Sequence, residues 1–163
     1  MREYLEMYAL YKPVIAVVGS RNSGKTMAVE VLVHGLSSRG YRVATVKHIP
    51  KPNFTIDSEG TDTWRHAKAG ASIVIGVSPN ELAVIKRVDT RGLDLDNIMT
   101  ECGEDIDVVI LEGFKKIVRR VPYVLKIVAV KNHDEIQEAS KAFSPILAYT
   151  GLVSAKEVPQ PFD

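Results

Sequence analysis

The sequence predicts a three-layer α/β domain built on a mainly parallel β-sheet. Three observations lead there. Residues 14–18 (Val-Ile-Ala-Val-Val) form a short β-branched run without polar alternation, the pattern of a strand buried on both faces. A glycine-rich turn and a helical repeat follow it at once. Strand-like and helix-like segments then alternate along the chain, which favours helices on the faces of a sheet.

Taken in order, residues 24–39 form a helix with Ala28, Val31, Leu32, Gly35 and Leu36 at helical spacing, and Gly40 is placed to end it. Residues 41–46 read as a second strand, and the Pro- and Asn-containing stretch 50–60 as a mobile loop. A short helix over 61–69 closes at Gly70. Residues 72–77 and 82–88 flank Ser78-Pro79-Asn80-Glu81 and predict an antiparallel hairpin that extends one edge of the sheet. A short helix over 93–102 precedes a core strand at 107–113, acidic at both ends. Strands at 123–130 and 146–149 enclose a helix over 133–142, and the tail 156–163, with Pro159 and Pro161, predicts no regular element.

A chain of 163 residues, 45% hydrophobic and 25% charged, suits one core, so we expect a single domain over 1–163. Twenty-one Lys and Arg against 20 Asp and Glu leave a net charge of +1, which argues against a non-specific nucleic-acid or anionic-lipid surface. Cys102 is the one cysteine, so no internal disulfide or Cys-pair zinc site is expected, and a cytoplasmic setting fits. No signal peptide or membrane span is expected.

Gly19-Ser20-Arg21-Asn22-Ser23-Gly24-Lys25-Thr26 has the spacing Gly-x-x-x-x-Gly-Lys-Thr between strand and helix, the context of a phosphate-binding loop for ATP or GTP. The glycines permit the turn and the close approach of backbone to phosphate. N–H groups of residues 20–26 then cradle oxyanions at a helix N-terminus. Lys25 is the residue for the β- and γ-phosphates, and the Thr26 hydroxyl for Mg²⁺. Such a loop needs an acid on a neighbouring strand. Glu112 lies at the C-terminal end of its strand, where ligands gather, whereas Asp107 lies roughly 16 Å away at the other end. Asp57 and Asp62 bracket the loop after the second strand, and either could complete a magnesium shell or orient water. For Asp62, helix capping is an equal reading. Lys47 and His48 end the second strand on the P-loop side, where a cation could neutralise phosphate or simply lie on the surface.

These motifs, with Val46-Lys47-His48, Gly60-Thr61-Asp62-Thr63-Trp64-Arg65, Ala69-Gly70-Ala71 and Leu111-Glu112-Gly113-Phe114-Lys115, occur in an order that resembles the molybdopterin-guanine dinucleotide biosynthesis protein B (MobB) family over roughly residues 14–130. The resemblance implies a GTP-binding accessory factor of molybdenum cofactor synthesis with weak GTPase activity. It would act beside the guanylyltransferase of that pathway, usually as a homodimer. It gives Lys25 and Thr26 nucleotide and magnesium roles and puts Asp57 and Glu112 at the metal and γ-phosphate side. Lys47, His48 and the Glu-Gly-Phe-Lys turn would face nucleotide or molybdopterin.

One departure is clear. The guanine-reading Asn/Thr-Lys-x-Asp turn is absent, and Lys131-Asn132-His133-Asp134 has the wrong spacing, so GTP over ATP rests on the family. The 73–88 hairpin is a candidate dimer surface. Two other readings stay open: a small-molecule kinase with Arg119-Arg120 as a lid, and a metal-delivery GTPase for nickel enzymes, which the single Cys102 disfavours. Without an obvious Gln or trans Arg, hydrolysis should be slow, roughly 10⁻⁴ to 10⁻² per second.

Overall fold

The computed structural model describes residues 12–151, so the expectations for the N-terminal segment and the tail fall outside the described residues. Within that range the chain divides into two compact units, one formed by residues 12–48 and 94–151 and the other by Ile49–Leu93.

The first unit contains β1 (Val14–Gly19), α1 (Lys25–Ser37), β2 (Val43–Lys47), α3 (Leu95–Cys102), β5 (Val108–Glu112), α4 (Lys115–Val118), β6 (Val124–Val130), α5 (His133–Ala142) and β7 (Ile146–Gly151). Its strands form one parallel sheet in the order β2-β5-β1-β6-β7. Central strands buried on both faces must be continuously apolar, and Val108–Glu112 is buried at every position. One face carries Val14, Ala16, Val18, Val109, Leu111 and Val128 against Leu95 and Ile98 of α3, Val118 of α4, and Ile136 and Ala139 of α5. The other carries Val17, Ile110 and Ile127 against α1. Each Val, Leu or Ile among them contributes about 1.5–3 kcal/mol by leaving water.

Local signals set the helix ends. Asp94 caps α3 by accepting from Asn97 N (2.8 Å), and Asn97 Oδ1 in turn accepts from Asp94 N (3.3 Å). After α1, Gly40 turns out of the helix at φ 87° and donates its N–H to Ser37 O. The stripe of α1 that meets the sheet is Ala28, Val29, Leu32, Val33 and Leu36; Val31 is 67% exposed and does not belong to it. The four-residue α4 had no sequence signal of its own, because Lys115-Lys116-Ile117-Val118 is too short for a period to show.

The second unit contains α2 (Asp62–Lys68), β3 (Ile73–Val77) and β4 (Leu82–Lys86). The antiparallel hairpin appears as expected, but as its own two-stranded sheet: it adds no strand to the parallel one. Thr61 caps α2 by accepting from Trp64 N (3.2 Å). Val74 is buried, and a Cβ on Gly76 would stand 4.0 Å from the Thr63 methyl, so α2 covers this face of β3. On the opposite face Ile73, Ile75, Val77, Leu82 and Val84 are exposed.

Lys126, inside β6, is 0% exposed. Its ammonium group donates to Val121 O (2.6 Å) and Ser144 O (2.5 Å), and burial pushes its pKa down to about 8 from 10.5. Between these values the unfolded chain binds more protons than the folded one, so this residue makes stability rise with pH from about 8 to 10.5. Thermal unfolding of the protein and of Lys126→Met across pH 7–11 should show this rise in the former and its absence in the variant.

Candidate functional site

The sheet order places β1 between β5 and β6, at the point where the chain stops adding strands on one side and begins on the other. In open α/β sheets a crevice forms there, beyond the C-terminal strand ends. The loop leaving β1 sits in this crevice. Gly19 has φ 154°, and a Cβ on it would lie 2.2 Å from Ala129 O of β6 and 2.7 Å from Ser23 Oγ, so the neighbouring strand requires glycine at this position. Asn22 and Gly24 are left-handed (φ 59° and 89°), which curls the loop around its own N–H groups. Ser23, buried, closes the curl by donating to Ser20 O (2.9 Å), and the Lys25 ammonium donates to the same carbonyl. Arg21 is exposed.

Glu112 ends β5 with its side chain 11% exposed. Parallel register sets it beside Val17 of β1 and Lys47 of β2. Its Oε1 accepts from Thr26 Oγ1 at 2.9 Å and pairs with Lys47 Nζ at 3.0 Å, while Lys47 Nζ stands 3.5 Å from Thr26 Oγ1. The structure therefore brings Lys25, Thr26, Lys47 and Glu112 together. His48 donates its backbone N–H to Glu112 O (3.0 Å), and its ring lies 5.4 Å from that of Phe114. It buttresses the Glu112-Gly113-Phe114-Lys115 turn, in which Gly113 and Phe114 are left-handed (φ 94° and 50°).

The electrostatics suit a polyanion. Burial lowers the Lys25 pKa, and repulsion from Lys115, Lys131 and Lys47 lowers it further, against the opposing pull of Glu112. Four ammonium groups thus crowd one loop, and an incoming phosphate chain would relieve their repulsion. Lys131 in this role was not legible in sequence, since it follows a strand distant in the chain. Glu135 was also missed. Burial pushes its carboxyl up, but the Lys131 N–H (2.8 Å), the Ser20 hydroxyl and the charges of Lys131 and Lys115 hold it below the usual range. The Asn-x-x-Glu capping pattern of Asn132 and Glu135 was the available signal. Asn132 caps α5 by accepting from Glu135 N (3.0 Å).

The other candidates have partners of their own. Asp57 belongs to the second unit. Burial raises its pKa, but bonds from Thr61 Oγ1 (2.9 Å), Thr63 Oγ1 (3.1 Å) and Ser58 N (2.8 Å) hold it below the usual carboxylate range, while its Oδ2 is buried without a partner. Asp62 is exposed and pairs with Arg65 (3.4 Å) in the first turn of α2. Asp107 is bound by Arg42 through N (2.7 Å) and Nη2 (3.2 Å) at the opposite end of β5. Arg119 O accepts from Ser144 N (2.9 Å), and Arg120 Nη2 donates to Lys141 O (3.3 Å). These bonds fix the pair beside the segments that enter β6 and β7, at the end of the sheet away from the P-loop, so they do not form a lid over it. Among the described residues no group of three His, Cys, Asp or Glu side chains could hold a metal ion. No described helix is long and apolar enough to cross a membrane.

Fold and loop together define a P-loop NTPase-type domain. Residues 14–147 match the family model described as molybdopterin guanine dinucleotide synthesis protein B, and the chain belongs to that family. A Methanocaldococcus jannaschii protein named as a candidate molybdopterin-guanine dinucleotide biosynthesis adapter is 35% identical over 122 residues, covering 74% of this chain and 48% of that one. The adapter of this name from Haemophilus influenzae is 33% identical over 105 residues, covering 64% and 58%. The chain thus spans about half the length of the curated relatives it matches. A crystal structure of molybdopterin-guanine biosynthesis protein B is 31% identical with a TM-score of 0.61, over 83% of this chain and 82% of that one. Bacillus subtilis MobB has a TM-score of 0.67 at 24% identity over 91% and 88%, a likeness of fold.

Because Gly19 is hemmed in by Ala129 O, Gly19→Ala should lower stability by about 3 kcal/mol or more, measured by urea denaturation.

Proposed function

We propose that this chain binds GTP with Mg²⁺ and serves as an adapter in molybdopterin-guanine dinucleotide synthesis, hydrolysing the nucleotide slowly. The single observation that carries the nucleotide reading is the meeting of Thr26 Oγ1 with Glu112 Oε1 at 2.9 Å, beside a loop whose N–H groups and Lys25 are gathered at a helix N-terminus. A hydroxyl and a carboxylate so joined are the hard oxygen donors that Mg²⁺ prefers. Thr26 and Glu112 would hold the metal, which would supply charge neutralisation between phosphate oxygens. Asp57 is the further acid proposed for this role, from the loop after β2.

Lys25 leaves Ser20 O for phosphate, and Lys115 and Lys131 add to the field that draws the anion in. Nothing in this set orients a water molecule as a strong general base would, which favours slow turnover. Preference for guanine rests on family membership, as does a role beside the guanylyltransferase of the cytoplasmic pathway and the proximity of molybdopterin.

Calorimetric titration with GTP and ATP, each with Mg²⁺, tests the reading. GTP should bind, and Lys25→Ala should weaken it about 10- to 100-fold, the worth of a charge-assisted hydrogen bond. Preference for ATP would turn the assignment toward a kinase, and no binding of either nucleotide would end it.

We further propose a homodimer joined through the β3–β4 hairpin. Its face of Ile73, Ile75, Val77, Leu82 and Val84 is contiguous, apolar and exposed, a combination that stable monomers avoid. Light scattering should give the two-chain mass for the protein and the one-chain mass for Val77→Asp/Val84→Asp; a two-chain mass for both would exclude this surface.

A further inference from the structure

Lys47 holds a position that the proposed metal also needs. Its ammonium group lies 3.0 Å from Glu112 Oε1 and 3.5 Å from Thr26 Oγ1, and Thr26 Oγ1 donates to that same Oε1 at 2.9 Å. One carboxylate oxygen therefore serves a hydroxyl and a cation at once. The pair is built in by the fold, since parallel register puts Lys47 of β2 directly beside Glu112 of β5. The two partners differ in freedom. Glu112 is anchored, with its side chain 11% exposed, whereas that of Lys47 is 53% exposed and can swing on four methylenes.

A small divalent cation requires its oxygen ligands at about 2.0–2.1 Å and competes with an ammonium group for the charge of the same oxygen. The two cations also repel at this range in a partly desolvated site. We propose that Lys47 is an internal counter-ion that occupies the magnesium position between Thr26 and Glu112, and that metal binding requires it to move onto the phosphates of the nucleotide. The inference rests on the P-loop reading of Thr26 and Glu112. It follows that metal and nucleotide bind with positive coupling: the nucleotide gives Lys47 an alternative partner, and by reciprocity the metal favours the nucleotide. Before nucleotide arrives, Lys47 neutralises a carboxylate that would otherwise stand buried and unpaired.

The test measures free Mn²⁺ by electron paramagnetic resonance as the metal probe, on the full chain, with and without GDP. Four variants are compared with the unsubstituted protein. Lys47→Met removes the counter-ion. Lys47→Arg keeps a cation in reach of Glu112. Lys115→Met removes one positive charge that also bears on Lys25 but has no bond to Glu112. Lys47→Met/Glu112→Gln removes the carboxylate as well.

Without nucleotide, Lys47→Met should bind Mn²⁺ at least about tenfold more tightly than the parent, while Lys47→Arg stays near it and Lys115→Met gains no more than about twofold. GDP should tighten Mn²⁺ binding in the parent much more than in Lys47→Met. Equal gains in Lys47→Met and Lys115→Met would reduce the effect to general charge and overturn the proposal. No gain in Lys47→Met would also overturn it while leaving the nucleotide reading intact. Tight Mn²⁺ binding that survives in the double variant would show the metal elsewhere than Glu112, and both readings would fall together.

Discussion

A carboxylate withdrawn from water has to find partners, and in this protein the buried Glu112 organises the site by finding two. Thr26 arrives from the first turn of α1 and Lys47 from the adjoining strand, and both close on the same oxygen, Oε1. Isolated, a charge in this position would cost several kcal/mol of desolvation. Joined to a hydroxyl and an ammonium group, it instead ties together three elements, β2, β5 and α1, at the C-terminal end of the sheet. The helix-side flank of the loop after β1 is fixed in this way.

Backbone conformation serves the same end. Gly19 allows β6 to press Ala129 O against the loop, and Gly113 with Phe114 turns the chain sharply after Glu112 in a left-handed path. For a bulky residue such as Phe114 that path costs roughly 1–3 kcal/mol, which packing must offset. The His48 ring tilted against Phe114 and the His48 N–H bonded to Glu112 O supply that support from the residue after β2. His48 also supports the turn that follows Glu112.

Charge is arranged on a second scale. The chain is almost neutral as a whole, yet Lys25, Lys47, Lys115 and Lys131 come from four separated segments to act on one loop. A local field of this kind leaves no trace in net charge. It concentrates positive potential at that loop and not over the whole surface.

The elements of the parallel sheet were legible in the sequence because burial on both faces writes a continuous apolar run, as in residues 14–18 and 108–111, and because glycines mark the turns that need them. The turn over residues 19–26 was legible for a similar reason: its shape depends on contiguous backbone, so its spacing is local. Tertiary structure decided the rest. Whether the hairpin joined the main sheet depended on strand pairing, to which its own alternation was blind, and it paired only with itself. The choice of Glu112 over Asp107 could be argued from strand direction, but the shared oxygen with Thr26 and Lys47 required the parallel register of β2 on β5. Lys131 and Glu135 became visible only when β6 came to lie beside β1. The sequence by itself thus determined which segments could form a phosphate loop and a buried sheet, since these follow from local geometry and burial. Only the fold determined which distant charges would meet, since that depends on strand order and register.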